Sequence, residues 1–135
     1  MLNTLQQRIA QHQFLGELRT KLLHLHHLLL NTERIAYERI RGKVSSGELL
    51  HLAINHSQFA WLHPLSRLIV RIDDSLRSDE PCTPEQSSAL VTEVRTLLAP
   101  NEQGNDFAMK YDLAFQQSPD VVLAHADVVM FLPAS

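Results

Sequence analysis

From Leu15 onward the apolar positions Leu15, Leu18, Leu22, Leu25, Leu29, Ala36 and Ile40 recur at three, four or seven residues. That spacing draws one face of an amphipathic helix. Leu23, Leu28, Leu30 and Ile35 widen the apolar arc on both sides and leave only a narrow polar strip of Thr20, His24, His27, Asn31, Arg34 and Glu38. So wide an arc predicts contact with several neighbouring helices or with a second copy of the chain. Gly42 stands where a left-handed C-terminal cap suits glycine. Ahead of this helix, Leu2, Leu5 and Ile9 fit either a separate turn or a continuation across Gly16.

A second helical rhythm opens at Ser45, with Glu48 three residues later completing a capping-box pattern. It runs through Leu49, Leu52, Phe59 and Leu62, and Leu65, Leu68, Ile69, Ile72 and Leu76 continue it in phase beyond Pro64. Proline removes a backbone donor and crowds the preceding turn. The segment is therefore either one long helix kinked at Pro64, which the preserved phase favours, or two helices meeting near Asn55-His56-Ser57 or at His63, with proline in a first turn. Pro81 and Pro84 bound a connection, and Thr83, Pro84 and Gln86 supply the start of a helix carrying Leu90, Val91, Val94, Leu97 and Leu98. A turn is expected from Asn101 to Asn105. Phe107, Tyr111, Ala114 and Phe115 mark a short helix, and Ser118-Pro119-Asp120 opens a last one through Val121, Val122, His125, Val128, Val129 and Leu132. Its valines also suit a buried strand, but a lone strand has nothing to pair with. The predicted fold is a single all-α domain over residues 1–135, a bundle of five or six helices with two long ones packed by shorter C-terminal ones.

Composition agrees: 44% of the residues are apolar and 20% charged, which fits a folded globule. A net charge of -3 gives no general attraction for nucleic acid. The start of the chain lacks the charge and apolar run of a signal peptide, and no apolar stretch reaches membrane-span length. Cys82 is the sole cysteine, so neither an intrachain disulfide nor a thiolate-rich zinc site is expected. The expectation is a cytoplasmic protein, with no nucleic-acid or membrane partner.

Eight histidines are the compositional oddity. Glu48 and His51 form one Glu-x-x-His, whereas a di-iron carboxylate bundle uses two with further glutamates. His24 and His27 share a polar helix face, and His26 points to the core edge. No third ligand is specified there, and none of the histidines has the His-x-x-x-Glu or His-x-x-x-x-Asp spacing of haemerythrin-like bundles. No bound metal and no cofactor is expected. Phosphate loops, nucleophile elbows and hydrolytic triads are absent from the sequence, and whether the chain is an enzyme stays open. Arg39, Arg41 and Lys43 suit a helix C-terminus, while Arg67, Arg71 and Asp74 read as an outward, solvated face.

The remaining polar residues suggest a site. His26, Glu33 and Tyr37 edge the first apolar stripe, and Ser66 and Asp73 edge the second, beside Trp61 and His63. A ligand pocket between the two long helices would be built from such residues, an apolar wall with a few placed polar groups. The bland alternative is that they satisfy one another, as half-buried polar groups must. The leading functional expectation is a binding or interaction module that takes a protein partner or a second copy of itself as a homo-oligomer; the alternative is a small-ligand- or metal-binding bundle using these residues.

Residues 59–74, FAWLHPLSRLIVRIDD, resemble a segment of small bacterial all-helical proteins with a domain of unknown function, as do residues 118–126, SPDVVLAHA. The resemblance implies a bacterial, cytosolic, helical protein and attaches no activity or site residue to it.

Overall fold

A computed structural model describes residues 4–80, 82–99 and 104–133. Leu2, Pro81 and most of the expected 101–105 turn lie outside them. Six α-helices follow in order: α1 (Thr4–Arg41), α2 (Ser46–Asn55), α3 (His63–Arg77), α4 (Pro84–Leu97), α5 (Asp106–Gln117) and α6 (Pro119–Phe131), with a 3-10 segment at Ser57–Leu62 between α2 and α3. No strand occurs among the described residues, and the all-α bundle is as predicted.

α1 is continuous across Gly16 for 38 residues, roughly 57 Å at 1.5 Å per residue. It is the axis of the bundle, with α3 along one flank and α6 along another; α4 packs on α3, and α5 on α6 and the 3-10 segment. Leu15, Leu18, Leu22, Leu25 and Leu29 are buried and meet Leu65, Leu68, Ile69 and Ile72 of α3, Val94 of α4 and Val121 and Val128 of α6 in one core. The stripe leaves the core after Leu29: Ala36 is exposed and Ile40 is 83% exposed. The reason is length, because no other helix exceeds 15 residues and α1 runs past its partners. Gly42 closes α1 at a φ of 87°, donating its N–H to Glu38 O at 2.9 Å; that left-handed conformation is the one glycine adopts without a Cβ clash.

The second long helix is not formed. The chain breaks at His56, whose backbone is extended (φ -87°, ψ 135°), and not at Pro64. The His56 N–H closes α2 on Leu52 O at 2.8 Å, and its Nδ1 accepts the N–H of Gln58 at 3.1 Å. A side chain that caps the next segment competes with helical continuation. The 3-10 segment then buries Phe59, Trp61 and Leu62, and Pro64 sits in the first turn of α3, where its missing N–H costs nothing. The in-phase rhythm persists from Leu62 through Ile72 because the 3-10 segment and α3 bury residues in the same core.

The other caps follow the sequence. Ser45 Oγ accepts the N–H of Glu48 at 3.2 Å, though the Glu48 carboxylate accepts from the Ser45 hydroxyl. Thr83 and Gln86 form a full reciprocal box, and Ser118 Oγ accepts from Val121 N as α6 starts, helical as expected.

Candidate binding groove

α1 and α3 run antiparallel, and the polar residues along their seam pair in register. Arg19 bonds Asp73; seven residues on, His26 Nε2 meets Ser66 Oγ at 2.8 Å. Seven further, Glu33 accepts from the Trp61 indole at 2.8 Å and from Gln58 Nε2 at 3.0 Å. Seven residues are about two turns, so these ties stand roughly 10 Å apart along α1. Glu33 and Asp73 therefore belong to opposite ends of the seam. Tyr37 packs at the Glu33 end, its ring 5.5 Å from that of His56 and 6.1 Å from that of Phe59. The seven candidate residues are thus spread along one interface. His26, His63 and Ser66 line a common groove; Glu33, Tyr37, Trp61 and Asp73 do not.

That groove, about 910 Å³, lies between α1, α2 and α3. α3 contributes His63, Ser66, Arg67, Val70 and Arg71, and the 3-10 segment Leu62; α1 contributes His26 and Leu30; α2 contributes Leu49, Leu50, Ala53 and Ile54. α2 buries none of its residues and packs chiefly on the 3-10 segment. One specific bond holds it to α3, the His63 imidazole N–H donating to Ala53 O at 3.0 Å. Leu50, Ile54 and Val70 stand 63%, 60% and 54% exposed along the rim. An apolar wall has formed without an apolar layer to cover it.

The polar atoms on the floor are satisfied. The Ser66 hydroxyl donates to Leu62 O at 3.3 Å, so its oxygen accepts from His26 Nε2–H. Burial lowers the pKa of His26 from its ordinary value, and the neighbouring His27 pushes the same way; the neutral ring suits this position. Charge enters the groove only with one sign. Arg67 and Arg71 are on its wall, and none of its lining residues is acidic. Arg71 also pairs with Glu93 at 2.5 Å.

Arg67 and Arg71 are exposed, as expected of an outward, solvated face, and they also border this groove. Arg19 and Gln58, the partners of Asp73 and Glu33, escaped the sequence reading because pairing register between helices is not written in either helix alone. The unpartnered side of α2 did leave a signal: Leu50 and Ile54 fall off the Leu49–Leu52 stripe.

A second half-buried pair lies across the bundle, where the Tyr111 hydroxyl and His125 Nδ1 share a hydrogen bond at 2.7 Å. Tyr111 is wholly buried, and burial raises its pKa far above the ordinary phenol value. Among the described residues, no group of three or more His, Cys, Asp or Glu is placed to hold a metal ion, and His24, His27 and His51 are exposed. No helix among them is long and apolar enough to cross a membrane. Comparison with family models, curated proteins and solved structures returns no match, so the functional reading rests on the geometry of the groove.

Proposed function

We propose that this protein is a cytoplasmic interaction module that receives an amphipathic helix of a partner protein in the groove between α1, α2 and α3. The observation that carries this reading is α2, an apolar ten-residue helix with no buried side chain, forming the wall of an open groove. Exposed apolar surface gathered in one place marks an interaction site more often than it occurs by accident.

Shape favours a helix as the occupant. The lining stretch from Ser46 to Ile54 is roughly 12 Å long at 1.5 Å per residue. Spread over that length, about 910 Å³ corresponds to a cross-section on the order of 75 Å², close to that of an α-helix with its side chains. A small apolar ligand is usually enclosed on most of its surface. Here one side of the occupant faces water, which is where an amphipathic helix carries its polar residues.

The test is fluorescence anisotropy with a labelled helical peptide bearing leucines at i, i+3, i+4 and i+7 and glutamate beside them. Binding to the wild type, lost in Leu50→Lys and kept in Leu123→Lys, an exposed position remote from the groove, is the expected result. Equal binding to all three proteins, or no binding, refutes the reading. So does tight, groove-dependent binding of dodecanol in place of the peptide.

A further inference from the structure

Resting on the groove reading, we infer that the partner's helix is acidic beside its apolar face and that it belongs to a different protein. The groove wall carries Arg67 and Arg71, one helical turn apart on α3, with no carboxylate among its lining residues. Arg71 is drawn sideways to Glu93 of α4. Arg67 has no ion pair or side-chain hydrogen bond among the described residues, and it is exposed. An apolar channel with cations on one wall attracts a helix whose polar face offers carboxylates there, one turn apart. A basic helix meets repulsion in the same place.

The charge also bears on self-association. A two-fold contact across the groove sets the patch against its own copy, so both walls carry Arg67 and Arg71 and neither lining brings a carboxylate to meet them. Glu93 offsets Arg71 from the side, whereas Arg67 has no carboxylate partner among the described residues and keeps its full charge. Leu50, Ile54 and Val70 on their own are compatible with a symmetric dimer; the arginines oppose it.

Three peptides with one apolar face and flanking glutamate, glutamine or lysine separate the possibilities by anisotropy at low and high salt. The glutamate peptide is expected to bind about fivefold tighter than the glutamine peptide at low salt, equivalent to about 1 kcal/mol and of the size exposed ion pairs give. Salt should erase the difference. Arg67→Glu, a change at an exposed and unpaired side chain, should reverse the order in favour of the lysine peptide while the far-ultraviolet spectrum and melting stay those of the wild type. Equal binding of all three peptides, sensitive to Leu50→Lys, overturns the acidic preference and leaves the groove reading intact. Absence of binding by any peptide removes the groove reading itself. Sedimentation velocity completes the test: a dimer abolished by Leu50→Lys makes a second copy the occupant and overturns the inference.

Discussion

The indole N–H of Trp61 donates to Glu33 Oε1 at 2.8 Å, joining the 3-10 segment to α1 across 28 residues of sequence. Trp61 is buried and its ring lies 5.5 Å from that of Phe107, so one side chain links α1, the 3-10 segment and α5. Gln58 completes the coordination of the same carboxylate. The start of α3, and with it the groove wall, is positioned from this point.

Trp61→Phe keeps an aromatic ring but removes the donor, leaving Glu33 with Gln58 as its remaining side-chain partner. The expected loss is about 1–3 kcal/mol, the usual worth of a hydrogen bond to a charged group. Urea denaturation followed by circular dichroism measures it. An unchanged midpoint would show that the bond contributes nothing to folding.

Along α1, burial predicts a sharp contrast. Leu22 and Leu25 are both fully buried, whereas Ile40 is 83% exposed. Leu22→Ala or Leu25→Ala should cost about 2–5 kcal/mol through lost transfer energy and a residual cavity. Ile40→Ala should change stability by less than about 0.5 kcal/mol. Similar losses at all three positions would mean that the C-terminal end of α1 is packed in solution.

Acid should weaken the fold through two imidazoles. Burial lowers the pKa of both His26 and His125 from the ordinary 6.5. The unfolded chain therefore takes up protons near pH 6.5 that the folded protein refuses. Stability contributed by these residues is complete above that pH and is lost as the pH falls through 6.5 toward the lowered folded values. The urea midpoint is expected to drop between about pH 7.5 and pH 5.5, and the drop should be smaller in a His26→Gln/His125→Gln double variant. An identical drop in the double variant would assign the pH dependence to other groups.

Much of this architecture was already legible in the chain. The three–four rhythm from Leu15 to Leu29 is local physics, since helix geometry alone decides which side chains share a face. The caps at Ser45, Thr83 and Ser118 are local too, each a side chain reaching a backbone N–H three residues away. The edge positions of His26, Glu33, Ser66 and Asp73 were visible for the same reason. Their partners were not. That Asp73 meets Arg19, that Ser66 meets His26 and that Glu33 meets Trp61 and Gln58 depends on the antiparallel register of α1 against α3, which the core sets by side-chain packing. The break at His56 was likewise decided by tertiary structure, because burying Phe59, Trp61 and Leu62 against α1 outweighs continuing one helix. The groove itself appears only when α2, α3 and α1 are brought together. Each helix encodes its own apolar face, but whether that face is covered depends on which neighbours are long enough to reach it.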